Sequence, residues 1–272
     1  MRQRLVGLLG LVVLGAALAA CSDSDGAGPP PPATSDFDQA EPGVVKGKAV
    51  SLRGEALADV EITVSGTVFA SGETSTFRTR TAADGTYALR VPDGAYRLWG
   101  YHEATYAGAR YCMPLALPTA GDYDSFGSKQ GAVRLLTWRI SGMRADETDP
   151  ASPLSYFGGY VRLAANSWDG WSVGERFRVT FTPTGPLIDG STGGVITREA
   201  TVGEDEEAHL LDIPIGQYTV SAVQLGSAGE TTPIKLDDLS DEPAQSLALV
   251  FSPVGSCSPL NGVQDVVLFA KK

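Results

Sequence analysis

The sequence predicts an all-β protein made of short antiparallel strands. Three observations carry that expectation. From Val44 onward, apolar side chains recur with a period close to two, and each run lasts only five to eight residues. The runs end at turn-forming pairs such as Ser65-Gly66 and Asp84-Gly85, in a chain with 32 Gly and 17 Pro. No stretch carries the 3.6-residue apolar period of an amphipathic helix over a useful length.

The chain has 272 residues and begins with an address. Arg2 and Arg4 make a short positive start, Leu5 to Ala17 is an unbroken apolar run, and Leu18-Ala19-Ala20 precedes Cys21. That order is a secretory signal peptide, too short in its apolar part to span a bilayer as a helix. A cysteine directly after Leu-Ala-Ala resembles a bacterial lipobox. The resemblance implies cleavage after residue 20 and lipid on the thiol and amine of Cys21; a plain signal peptide with an incidental cysteine is the alternative. Residues 21–43 then form a tether. Pro29 to Pro32 stand among Ser, Asp and Gly, which favours an extended, stiff spacer with no core of its own. The expected location is the bacterial cell envelope, lipid-anchored and facing periplasm or exterior.

The rest reads strand by strand. Val45, Gly47, Ala49 and Ser51 alternate with outward positions, as do Val60, Ile62 and Val64. Tyr87, Leu89 and Val91 follow, then Tyr96 and Leu98. Asp84-Gly85 suits a tight hairpin turn, which predicts that Phe77 to Thr81 pairs with Thr86 to Val91. Trp99 and Trp138 lie inside strand runs and are assigned to the core. A second copy follows at an offset of 122. Ala208 to Val220 lines up with Thr86 to Leu98, so that Pro92, Gly94 and Tyr96 match Pro214, Gly216 and Tyr218. In the same alignment Leu89 and Val91 face Leu211 and Ile213, and Phe177, Val179 and Phe181 stand for Val60, Ile62 and Val64. The copy departs at its turn, where Gly203 to Glu207 replaces Ala82 to Gly85. Cys112-Met-Pro-Leu115 resembles Cys257-Ser-Pro-Leu260, each ahead of a last apolar strand (Val133 to Ile140, Val263 to Ala270). The loop from Gly142 to Pro153 divides the copies; one elaborate β-domain is the rival reading.

The segments Gly47 to Val50, Ala58 to Gly66 and Thr81 to Leu98 resemble the carboxypeptidase regulatory-like domain, through the pattern T-x-x-D-G-x-Y-x-L-x-V-P-x-G-x-Y. The resemblance covers roughly residues 44–100. It implies a non-catalytic module and two tandem transthyretin-like, or prealbumin-like, Greek-key β-sandwiches, at 44–142 and 155–272. It does not imply peptidase activity, since no peptidase domain accompanies it here.

Composition narrows the function. The net charge is −11, and without Arg2 and Arg4 it becomes −13, which repels phosphate backbones and excludes nucleic acid as a partner. There are two histidines, His102 and His209, with no H-E-x-x-H, G-x-S-x-G or phosphate-binding glycine loop. No catalytic set, metal site or cofactor is therefore assigned. The acidic runs at 146–149, 204–207 and 237–242 lack Ca²⁺-loop spacing and read as solvated loops. With Cys21 lipidated, Cys112 and Cys257 remain. In an oxidising compartment they are expected to pair, closing 145 residues, worth roughly 5 kcal/mol in the chain-entropy model; two buried thiols are the alternative. Trp168 and Trp171, with Asn166 and Asp169, form a turn-rich aromatic stretch that suggests stacking on sugar rings. Tyr101, Tyr106, Tyr111, Tyr123 and Tyr156-Phe157 add to the aromatics near loops, or the tyrosines fill the seam between the copies. The expected function is non-catalytic binding of carbohydrate or another extracellular polymer, with the membrane as a partner through the N-terminal lipid. The alternatives are a structural module or one that takes an envelope protein on an exposed strand edge, and an accessory subunit of a secreted hydrolase.

Overall fold

Among the described residues, period-two alternation becomes sixteen strands, β1 to β16. The computed structural model describes residues 39–165, 171–237, 242–257 and 260–271. The first repeat holds β1 (Val44–Ser51), β2 (Glu61–Val68), β3 (Thr74–Arg80), β4 (Thr86–Arg90), β5 (Gly94–Tyr106), β6 (Ala109–Ala116), β7 (Phe126–Gly127) and β8 (Ala132–Trp138). The second holds β9 (Gly159–Ala165), β10 (Arg176–Pro183), β11 (Ile196–Thr201), β12 (Glu207–Ile213), β13 (Gln217–Leu225), β14 (Thr231–Asp237), β15 (Leu247–Val250) and β16 (Val266–Lys271). Helix among the described residues is confined to α1 (Ala120–Tyr123) and one 3-10 turn, Pro153–Ser155.

The two repeats have one topology. In the first, the strand order is β3-β2-β5-β6-β8-β1-β4, with β7 added to β5. In the second it is β11-β10-β13-β14-β16-β9-β12, with β15 added to β13, every strand eight places on. The parallel pair β1–β8 recurs as β9–β16 among otherwise antiparallel pairs. β6 pairs with β5 over residues 109–114 and with β8 at Leu115 and Ala116, so one strand passes from layer to layer of the sandwich. The fold is thus all-β, two tandem β-sandwiches. Each layer buries its inward set: Val45, Ala49, Ile62, Val64, Tyr96 and Leu136 in one repeat, Val161, Leu163, Phe177, Val179, Phe181 and Tyr218 in the other. Trp138 is buried as expected, whereas Trp99 is only half-buried.

The shared P-x-G-x-Y signature has a physical cause. Tyr96 and Tyr218 are fully buried, and each donates its hydroxyl hydrogen to the carbonyl four residues back, Pro92 at 3.1 Å and Pro214 at 2.7 Å. The ring therefore folds back over its own turn. A Cβ on Gly94 would stand 2.6 Å from the Tyr96 hydroxyl, and one on Gly216 would stand 3.2 Å from the Tyr218 ring. Only glycine leaves room for that corner.

The pairing expected across Asp84-Gly85 does not form. β3 pairs with β2, and β4 pairs with β1, so the turn carries the chain from one layer to the other. Thr81 holds this corner. Its hydroxyl donates to the Leu57 carbonyl at 2.7 Å and accepts from the Val60 N–H at 2.9 Å. The turn itself is tight and recurs in the second repeat at an offset of 121, not 122. Ala82 N–H bonds to the Thr86 carbonyl as Gly203 N–H bonds to that of Glu207. Asp84 and Asp205 each accept from the backbone N–H two residues on. Thr86, Tyr87 and Leu89 therefore match Glu207, Ala208 and Leu210, a correction of one residue to the alignment of Ala208 with Thr86 and of Leu211 with Leu89. One extra residue in β12 restores the offset at Ile213, through a bulge between Leu210 and Ile213 in which Asp212 takes φ +56°.

The same alignment sets Glu206, at φ +63°, where the first repeat has Gly85 at φ +79°. A side chain in this left-handed region costs roughly 1–2 kcal/mol, which glycine avoids. Glu206→Gly is expected to raise stability by about 1 kcal/mol, less the entropy glycine adds to the unfolded chain. Urea denaturation of the variant checks this, and a loss of stability would show that Glu206 makes a compensating contact.

Candidate functional site

The repeats meet along a bonded seam. Cys112 and Cys257 form the expected disulfide, with Cα atoms 5.0 Å apart. The two cysteines do not occupy equivalent places in the repeats, although each opens a C-x-P-L segment. Cys112 lies in β6 opposite Glu103, and register places Thr231 of β14 at the matching position. Cys257 instead lies in the segment between β15 and β16. The likeness of the two C-x-P-L segments is therefore not a structural repeat. Around the bridge, a cavity of about 280 Å³ is lined by Glu103, Arg110, Cys112, Gly255, Ser256 and Cys257.

Tyrosines from β5 and β6 complete the seam. Tyr106 donates its hydroxyl hydrogen to the Pro186 carbonyl at 2.9 Å, and Tyr111 to that of Phe251 at 2.7 Å. Burial raises the Tyr111 hydroxyl above the ordinary tyrosine range, so it acts as a neutral donor. The Tyr106 and Tyr111 rings stand edge to face at 6.2 Å. Of the aromatics placed near loops by the sequence, Tyr101, Tyr111 and Phe157 are buried.

The segment expected to divide the copies is bonded to the second repeat at its start. Gly142 N–H donates to Asp212 Oδ1 at 2.7 Å, so the one residue added to β12 is the one that holds the connection. Ile215 N–H reaches the Ile140 carbonyl at 3.3 Å. Arg144 is buried, with its guanidinium 5.6 Å from the Tyr123 ring and 5.7 Å from the Phe157 ring. Its Nε and Nη2 donate to the two oxygens of Asp146 at 3.3 and 3.2 Å. Of the acidic run at 146–149, Asp146 is thus the partner of Arg144 and still keeps contact with solvent.

Of the four sugar-platform residues, Trp171 alone lies among the described residues. Trp171 is 6% exposed and packs on Phe177 with ring centroids 4.3 Å apart, a correction to the exposed pair of indoles. The hydrophobic gain of covering a large ring outweighs the polar company of its neighbours in sequence. Trp168, Asn166 and Asp169 lie outside the described residues, as does Cys21. A second cavity, of about 220 Å³, is lined by Ala116, Leu117, Pro118, Thr137, Arg139, Met143, Ala145 and Phe157, with no acid or histidine among them.

The histidines differ. His102 rests against the Trp138 ring at 4.4 Å, and burial lowers its pKa below the ordinary range, so it stays neutral. His209 is half-exposed on β12. Its Nε2 stands 2.7 Å from Asp205 Oδ2, its Nδ1 bonds to the Tyr160 hydroxyl, and its ring stacks on that of Tyr160 at 5.7 Å. The bond to His209 holds the exposed Asp205 carboxyl below its usual range. Asp205, Glu207 and His209 each offer a ligand atom, all within 4.8 Å of one another. No metal site is expected here from the sequence, although the D-x-E-x-H spacing of a turn leading into a strand is visible in it.

No family model matches the chain, and no curated protein matches it. Among solved structures it is similar to the Bacillus anthracis TIE protein at 13% identity and TM-score 0.31, over 85% of this chain and 34% of that one. It is similar to a streptococcal ancillary pilin at 14% identity and TM-score 0.25, over 82% of this chain and 62% of that one. The third is two B repeat units of the collagen binding protein of Staphylococcus aureus, at 9% identity and TM-score 0.22, over 85% of this chain and 49% of that one. The chain spans about a third of the first of these and under two thirds of the second. At such TM-scores the fold assignment rests on the strands and registers described above.

Proposed function

We propose that the chain is an exported, non-catalytic structural module of a bacterial envelope, anchored by lipid on Cys21 and held off the membrane by residues 22–43. Its working part is a pair of sandwiches of the carboxypeptidase regulatory-like kind, at 44–142 and 155–272, joined so that they move as one body. The observation that carries this reading is the seam, where a disulfide, tyrosine hydroxyl bonds and the Gly142–Asp212 bond tie the repeats together. Such a bridge persists in oxidising compartments outside the cytosol. A protein partner is favoured over a polysaccharide. The strand paths end at β3 and β11 on one side, where main-chain groups of an edge strand are open to β-augmentation. The sugar reading has lost Trp171 to the core and now rests on Trp168, with Asn166 and Asp169.

The test is made in intact cells. A photo-crosslinking residue placed at Thr197 of β11 is expected to trap an envelope protein, and Cys21→Ala is expected to move the chain from membrane to soluble fractions. Absence of any crosslinked protein, together with retention on cell-wall polysaccharide that Trp168→Ala abolishes, would replace the partner reading with the polymer reading.

A further inference from the structure

The second repeat carries a donor set that its turn does not need. Asp205 is required for the turn itself, since it accepts from Glu207 N–H as Asp84 accepts from Thr86 N–H. The next two positions on the same face of the strand are Thr86 and Ala88 in the first repeat. In the second they are Glu207 and His209, as the 121-residue offset requires. Residues i and i+2 of a strand share a face, so the imidazole and both carboxylates converge on one point, with ligand atoms within 4.8 Å of one another.

We propose that Asp205, Glu207 and His209 form a binding site for a divalent cation of the zinc class. One imidazole nitrogen with two carboxylate oxygens suits a borderline ion of that kind, with water completing the coordination; Ca²⁺ prefers oxygen throughout. The surrounding groups match the outer partners that metal-binding side chains use. The Tyr160 hydroxyl engages Nδ1 of His209, so with the ring proton on that nitrogen Nε2 turns its lone pair toward Asp205. Arg162 Nη1 lies 3.2 Å from both oxygens of Glu207 and Nη2 lies 3.3 Å from Asp265, which orients Glu207 without using all its lone pairs. Two carboxylates, Glu207 and Asp265, face a single guanidinium, and Glu204, Asp205 and Glu206 stand in the same turn. The local charge therefore favours a dication. Asp205 is exposed and the other two are half-exposed, so an ion can reach them directly.

The test uses the full chain, with zinc alone as the probe in titration calorimetry and Co²⁺ as the spectroscopic substitute. One equivalent of zinc is expected to bind, to raise the melting temperature and, as Co²⁺, to give visible absorption of a site with nitrogen and oxygen ligands. His209→Ala and Glu207→Gln are each expected to weaken binding by tenfold or more, and Tyr160→Phe by about tenfold. Glu73→Gln, in the exposed β2–β3 turn, is expected to change nothing. Absence of binding, or binding that survives His209→Ala in a folded protein, overturns the proposal. So does equal affinity for Ca²⁺, which would assign the ion to the carboxylates alone.

Discussion

Replacing both bridge cysteines, as Cys112→Ser with Cys257→Ser, is expected to lower the free energy of unfolding by about 4–5 kcal/mol. The bridge closes 145 residues, and the chain-entropy model assigns a loop of that length roughly 5 kcal/mol. Two features make the substitution a clean measure of that constraint. Cys257 is exposed and Cys112 half-buried, so the new hydroxyls find water and no polar group is stranded. The seam also survives without the covalent link, through Tyr106 on Pro186, Tyr111 on Phe251, and Gly142 on Asp212. Guanidinium denaturation of the oxidised chain and of the double variant gives the difference directly. A change under about 1 kcal/mol would mean that the unfolded chain already keeps residues 112 and 257 near each other.

Arg144→Ala is expected to cost about 2–3 kcal/mol, and Arg144→Met much less. The guanidinium fills the space between Tyr123 of the first repeat and Phe157 ahead of β9, and forks onto Asp146. Truncation opens a cavity between two rings and leaves Asp146 without its partner. Asp146 keeps 26% of its side chain exposed, so water screens part of that loss and the figure falls below that of a fully buried pair. Methionine refills the volume and still leaves the carboxylate hydrated. The comparison separates packing from charge: equal stability of the two variants would assign the whole effect to the ion pair. The Arg144 main chain, bonded to the Ser155 carbonyl at 2.8 Å, is untouched in either case.

Much of the fold was legible in the sequence, for a local reason. Strand alternation shows directly which of Val60, Ile62, Val64, Tyr96 and Leu98 point inward, and all of them are buried. The repeat was legible because P-x-G-x-Y encodes a corner whose ring, turn and hydrogen bond lie within five residues. Partner choice between strands was not legible. The Asp84-Gly85 turn has the residues of a hairpin, yet β3 and β4 join different layers, because the apolar faces of β2 and β1 claim them. The Asp212 bulge was hidden in the same way: a uniform offset of 122 absorbs one extra residue, and only register exposes it.

The site followed the same division. The sequence by itself determined the chemistry available: two cysteines for a bridge, two histidines, no catalytic motif, and a net charge of −11. Tertiary structure alone decided which of those groups meet. It joined non-equivalent cysteines, buried Trp171 against Phe177, and set Asp205, Glu207 and His209 on one face beside Tyr160 and Arg162. The physical reason is range. Alternation and turn chemistry act over a few neighbours along the chain, whereas a disulfide, a stacked indole or a ligand cluster depends on distances fixed by packing residues far apart in sequence.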